Sequence, residues 1–363
     1  MKKRILAVCL TLVVAAMALA GCGSSAGETT EVQTEAPETT QENQETEETT
    51  TEAAAETAAA GDGTVIRLGG LKGPTSMGMV KLLDDAENGI SESQIEFTMA
   101  GSADELTPKL LQGELDILAV PANLGAILYN NSDGAVQFAA INTLGVIYIV
   151  EKGEQTVSSL ADLKGKTLYA TGKGSTPEYA LNYLLEQNGL DPAADVTIEW
   201  KSEPTEVVAQ MASEEHAVAM LPQPFVTVAG NQMEDLNVVL DLTAEWDALN
   251  NGSQLITAGL VVRKAFAEEH PEALAKFLEE YEASTAYINE NIEEGAALVE
   301  KYDIVTAAVA QQAIPYCNIT YIAGDEMVTA MKGYLQVLYD QNPQSVGGTL
   351  PADDFYYLAD SAS

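Results

Sequence analysis

The chain has 363 residues, with 17 Lys and Arg against 55 Asp and Glu, a formal net charge of −38. So acidic a surface repels phosphodiesters and anionic bilayers, which excludes nucleic acid as a partner and the bare protein face as a means of holding a membrane. Three cysteines and two histidines supply neither a disulfide framework nor the parts of a zinc site or a Ser-His-Asp triad, so no metal or other cofactor is expected.

The N-terminus, MKKRILAVCLTLVVAAMALAGC, opens on Lys2, Lys3 and Arg4, continues through a short apolar run and closes on Leu19-Ala20-Gly21-Cys22. This is the pattern of an export signal over residues 1–21 rather than of a spanning helix. It resembles a bacterial lipobox, which implies cleavage before Cys22, a lipid on its thiol, and anchorage to the cell membrane on the extracytoplasmic face. Without the signal's three bases, 14 basic residues face 55 acidic ones, and the mature charge is −41. Cys9 leaves with the signal and Cys22 is taken by lipid, so Cys317 in IPYCNI is expected to be a small buried apolar residue. Residues 22–61 are dominated by Glu, Thr, Ala and Gln, with ten Glu and no Lys or Arg between 28 and 56. Such a segment has little to bury and repels itself, so it is expected to be a disordered acidic tether.

From TVIRLGG onward, short apolar strands alternate with helical patterns. That strand leads to a helix over 75–87, SQIEFTMAG to one ending near Gln112, and LDILAVP to one over 122–129; VQFAAINTLGVIYIVEKG holds two more apolar runs. A second series of the same kind follows: TLYATG with a helix to Gln187, DVTIEW with one to Ser213, and AVAMLP with one after Pro224. After NVVLDL and ITAGLVVRKAF the pattern turns helical, with Pro271 in a first turn. Strands alternating with helices predict an α/β fold with parallel sheets covered on both faces. Two such series in tandem predict two lobes. Residues 62–149 and 258–363 form lobe I and 150–257 form lobe II, with crossovers near 148–152 and 256–260.

GSADELTPKLLQGELDILAVPANLG, LADLKGKTLYATGKGSTPEYALNYLLEQNGLDP, LPQPF and HPEALAKFLEEY resemble segments of ABC-importer solute-binding proteins, and within that family the nitrate, sulfonate, taurine and thiamine-precursor binding group. The resemblance implies a two-lobe periplasmic-binding-protein-like fold of type II, a Venus flytrap with two hinge crossovers. It also implies a non-catalytic monomer that closes on a small molecule and presents it to a membrane permease and its ATPase.

In open α/β sheets ligands sit outside the carboxyl ends of strands, where loops enter helix N-termini. The first such loop carries Lys72, Gly73, Thr75, Ser76 and Met77. It is not a phosphate-binding P-loop, because Lys72 precedes Gly73 and Pro74 lacks an N–H. Thr75 or Ser76 caps the helix or faces a ligand; Met77 lines the cleft or the core. Ser102 caps a second helix with Glu105 reaching back, unless Pro108 marks a start capped by Thr107. Asn123 opens a third helix, and Thr143 lies on the crossover segment. The fourth loop, ATGKGSTPEYA, places Lys173, Gly174, Ser175 and Thr176 opposite the first. Two lysines at two helix ends suit a carboxylate, sulfonate or phosphate, or else point into solvent. Gln223 and Phe225 are placed on the second lobe's rim; Phe225 or Trp246 stacks on a flat heterocycle or belongs to the core. The alternatives are a same-fold dehydratase-like enzyme using Glu178 as a cleft carboxylate, and a ligand-sensing surface lipoprotein.

Overall fold

The computed structural model describes residues 63–359. The expected signal peptide, Cys22 and the tether lie outside the described residues.

Eleven strands are present among those residues: β1 (Val65–Leu71), β2 (Gln94–Ala100), β3 (Ile117–Pro121), β4 (Val136–Leu144), β5 (Ile147–Lys152), β6 (Thr167–Ala170), β7 (Thr197–Trp200), β8 (Ala217–Pro222), β9 (Leu236–Asp241), β10 (Ile256–Arg263) and β11 (Ile319–Ile322). They form a six-stranded sheet in the order β11-β4-β10-β3-β1-β2 and a five-stranded sheet in the order β7-β6-β8-β5-β9. Setting aside β11, a strand that sequence patterning missed, the two orders have the same form. Each sheet has a parallel trio, β2-β1-β3 or β7-β6-β8. Beside it, each holds one antiparallel strand donated by the chain as it arrives from the other sheet, β10 or β5. The sheets are therefore mixed rather than all parallel. A strand entering from the neighbouring lobe starts at the end where the trio finishes, so it must run the opposite way.

The first crossing is made by Gly145 and Val146, since β4 ends at Leu144 and β5 pairs with β8 from Ile147 onward. Both residues have positive φ, +54° and +74°. The second crossing lies between the helix Leu242–Ala248 and β10, whose first residues already pair in the first sheet. The continuous apolar run GVIYIV hides the first break, which is why patterning put it near 148–152.

Strand β3 is buried along Ile117–Val120, as a strand covered on both faces should be. On one face Ile66, Leu68, Ile117 and Leu260 pack with Leu82, Phe277 and Tyr281 from the helices Val80–Glu87 and Pro271–Glu290. On the other, Leu118, Val120 and Phe138 join a core that continues into the second lobe through Met327, Tyr334 and Leu338 of the helix Gly324–Gln341. The expected single helix over 75–87 is broken into Pro74–Met77 and Val80–Glu87. Ser284 Oγ donates to the Gly78 carbonyl over 2.7 Å and accepts from Leu82 N at 3.0 Å, so the groups freed at the break are satisfied. Ser102 caps the helix Ala103–Leu111, accepting from Asp104 N at 3.3 Å, and Pro108 is tolerated inside it.

Candidate binding cleft

A cavity of about 370 Å³ opens between the carboxyl ends of the two parallel trios. Lobe I contributes Leu71 to Thr75 after β1, Gly101 to Asp104 after β2, and Pro121 and Leu124 at the end of β3. Lobe II contributes Thr171 to Ser175 after β6, Lys201, Ser202 and Pro204 after β7, and Met220 and Pro222 from β8. Val146 lines it from the first crossing, and Ile147, Thr257 and Ala258 from the strands β5 and β10 that follow the two crossings.

Four helices begin on this wall: Pro74–Met77, Ala103–Leu111, Thr176–Gln187 and Pro204–Ser213. Pro74 and Pro204 at first helical positions offer no N–H, and Glu178 Oε2 accepts from Gly174 N at 2.5 Å. Backbone donors are thus few, and positive charge comes from side chains. Lys72 and Lys173 are exposed at the mouth and have no ion-pair partner among the described residues. Lys201 is a third lysine; its side chain is 25 % exposed, with Nζ 3.6 Å from Glu199 Oε2 and 5.4 Å above the Tyr169 ring. The Tyr169 hydroxyl donates to Glu214 over 2.6 Å, which pushes its pKa up to about 12 and keeps the ring neutral beneath the ammonium. Asp104 is the acidic residue on the wall. Leu71, Leu124, Val146, Ile147 and Met220 supply an apolar floor, and none of the described residues lining the cavity is aromatic.

Of the residues expected from sequence, Lys72, Gly73, Thr75, Ser102, Lys173, Gly174 and Ser175 lie on this wall. The others lie behind it. Ser76 Oγ donates to the Leu71 carbonyl over 2.7 Å, and Thr75 Oγ1 donates to the same oxygen over 3.2 Å. Met77 is buried with Cys317, sulfur to sulfur 3.8 Å. Thr143 donates to Asn142 Oδ1 over 3.1 Å, and Asn142 Nδ2 reaches the Thr75 carbonyl, also over 3.1 Å. Asn123 and Thr176 are bonded to each other over 3.2 Å. Gln223 Oε1 accepts from Thr227 Oγ1 at 2.9 Å, and Phe225 belongs to the second lobe's core. Trp246 is fully buried between Tyr183 and Tyr334, its Nε1 donating to Ser253 Oγ over 3.2 Å. The common reason is that a strand-to-helix turn strips carbonyls of ladder partners, and short polar side chains nearby satisfy them. Lys201 and Ser202 were missed although the same strand-end rule, applied to DVTIEW, points to them.

Among the described residues no group of His, Cys, Asp and Glu could hold a metal ion, and no helix is long and apolar enough to cross a membrane.

Two mixed α/β sheets of matching topology, two crossings and a cleft at the strand ends define a two-lobe solute-binding fold of type II. Residues 78–313 match the family described as ABC transporter, phosphonate, periplasmic substrate-binding protein, and the chain belongs to that family. Its fold is shared with an ABC transporter protein from Parabacteroides distasonis (TM-score 0.67, 24 % identity, 81 % of this chain and 99 % of that one). It is shared also with the periplasmic aliphatic sulphonate binding protein of Escherichia coli (0.65, 18 %, 81 % and 92 %). A third similar structure is the alkanesulfonate-binding protein of Xanthomonas axonopodis pv. citri bound to MOPS (0.63, 14 %, 79 % and 94 %). No curated protein matches the chain. The chain is thus the solute-binding component of an ABC import system, an extracytoplasmic domain that takes a small molecule between its lobes for delivery to a membrane permease. Family and fold are those of non-catalytic binding proteins, and the permease and its ATPase are the partners that membership implies.

Proposed function

We propose that the solute is a small organic anion with an oxyanion head of the sulfonate or phosphonate type and an apolar body. The observation that carries this is the placing of Lys72, Lys173 and Lys201 around one cavity with an apolar floor, in a chain this poor in bases. Three ammoniums from both lobes favour an anion bridging the cleft, and the floor favours methylenes over a second charge. The binding of MOPS by the Xanthomonas protein, on the same fold, is consistent with this. A flat heterocycle is less well served, because Phe225 and Trp246 are committed to the core. Glu178 tethers the Gly174 amide and lies off the cavity wall, which leaves a catalytic carboxylate without support. The protein acts as a monomer, held to the membrane through lipidated Cys22, and its lobes hinge about Gly145–Val146 and residues 249–255.

Titration calorimetry with butanesulfonate and ethylphosphonate, against a neutral alcohol and an alkylammonium of the same length, tests the ligand class. Saturable binding of an anion is the expected result. Tight binding of the neutral or cationic compound, with no response to either anion, overturns it.

A further inference from the structure

A hydrogen-bonded chain runs through the buried interior behind the cavity and joins both lobes. Tyr334, on the helix Gly324–Gln341, lies beyond the residues covered by the family match. Its hydroxyl donates to Thr176 Oγ1 over 3.2 Å, Thr176 donates to Asn123 Oδ1 over 3.2 Å, and Asn123 Nδ2 donates to the Ser345 carbonyl over 2.9 Å. All four residues are fully buried. The direction follows from the last link: an amide whose nitrogen donates to Ser345 leaves only its oxygen for Thr176, so Thr176 must donate to it and accept from Tyr334.

Thr176 is the first residue of its helix, and the three residues before it, Lys173, Gly174 and Ser175, form the lobe II wall of the cavity. The loop is braced on its own helix: Gly174 N donates to Glu178 Oε2 over 2.5 Å, and Ser175 N and Oγ donate to the Gly172 carbonyl over 3.1 and 2.8 Å. These bonds tie it to the start of the helix, so its place relative to lobe I depends on what anchors Thr176. The Thr176 hydroxyl meets Asn123 from the other lobe on one side and Tyr334 from the C-terminal helix on the other. Parting them inside the core leaves buried polar groups unpaired, which costs more than the bond's net worth.

We propose that Tyr334 is a positioning residue for ligand capture: through Thr176 it fixes the Lys173–Ser175 loop and couples the loop's place to the approach of Asn123 from lobe I. This rests on the cavity being the ligand site, not on the charge of the ligand.

Hydrogen–deuterium exchange on the full, ligand-free chain tests it. Tyr334→Phe keeps the ring packed on Trp246, centroids 5.8 Å apart, and deletes only the hydroxyl. Amides of residues 172–176 should then exchange about fivefold faster, the factor set by one hydrogen bond's ordinary net contribution, while those of the Tyr334 helix stay within about twofold. Thr176→Val should reproduce the effect and Thr176→Ser, which retains the hydroxyl, should not. Unchanged exchange at 172–176 in Tyr334→Phe overturns the proposal. So does equal acceleration of helix and loop, the signature of a bond that is merely structural. The readout involves no ligand, so failure of the anion titrations and failure of this proposal are separate results.

Discussion

Replacing Lys201 by Met should weaken anion binding more than the same change at Lys72 or Lys173, although only the latter two stand out in the sequence. The Lys201 side chain is a quarter exposed and steadied over the Tyr169 ring. Its contact with Glu199, at 3.6 Å, is too long for a good hydrogen bond and costs little to give up. A hydrogen bond to a charged partner contributes about 1.5–3 kcal/mol. Partial exposure places Lys201 in the lower half of that range, about 2 kcal/mol, or roughly a thirtyfold rise in Kd. Lys72 and Lys173 are exposed at the mouth, where an ion contact is worth about 0.2–1 kcal/mol, less than about sixfold. Calorimetric titration of butanesulfonate into wild type and the three Lys→Met variants measures the order, with thermal unfolding to show that each variant is folded. Raising salt from about 0.05 to about 0.3 M should shrink the Lys72 and Lys173 effects while largely sparing that of Lys201. A Lys201→Met protein that binds within about twofold of wild type, or a larger loss at Lys72, would refute the reasoning.

Two further outcomes concern one residue remote from the cavity and one on its wall. Asp116 is buried and accepts from Arg67 N, Nε and Nη2 at 3.0, 2.8 and 2.6 Å, and from Arg263 Nη2 at 2.7 Å. Burial raises its pKa, but the hydrogen bonds from the two arginines outweigh this and hold it below the usual carboxylate range. A depressed folded value means that the stabilisation is complete above the unfolded value of about 4 and is lost as pH falls through the folded one. Asp116→Asn should therefore cost about 3 kcal/mol in urea unfolding near neutrality, with the gap to wild type constant above about pH 5 and closing only as pH falls below the unfolded value of about 4; a gap that already shrinks between about pH 7 and about pH 5 contradicts this. At Gly101, a Cβ would run into the carboxyl group of Glu203 from the opposite lobe, whose Cγ lies 3.2 Å away. Gly101→Val should hinder closure and weaken butanesulfonate binding about tenfold, and adding Glu203→Ala should recover most of it; a double variant as weak as the single one rules out this contact as the cause.

Most of the site's backbone was legible in the sequence, because a ligand cleft in such a fold is made of strand ends. TVIRLGG, SQIEFTMAG and TLYATG each announced a strand, and Gly, Pro and hydroxyl residues after them announced turns into helices. Side-chain direction was not legible. Ser175 borders the cavity with its hydroxyl donated to the Gly172 carbonyl over 2.8 Å, and the Thr176 hydroxyl meets Asn123 and Tyr334, yet nothing local separates adjacent hydroxyls on one turn. Gln223, Phe225 and Trp246 mark the same limit, since aromatic and amide groups suit a ligand wall and a core equally well until their neighbours are known. Lys201 shows the converse: with no glycine beside it, it carries no local signal beyond its place after a strand.

The sequence by itself determined the class of the protein: alternating periodicities of strand and helix specify two α/β series, and the charge balance excludes nucleic acid. Only the tertiary structure decided where the chain crosses and which residues share the cavity. Crossing depends on which strand fills the gap between β3 and β4 or between β8 and β9, a pairing between residues more than a hundred positions apart for β10 and 65 to 93 apart for β5. The Tyr334–Thr176–Asn123 chain likewise spans more than two hundred positions. Periodicity reports the faces of one element; it holds no information about which distant element meets that face.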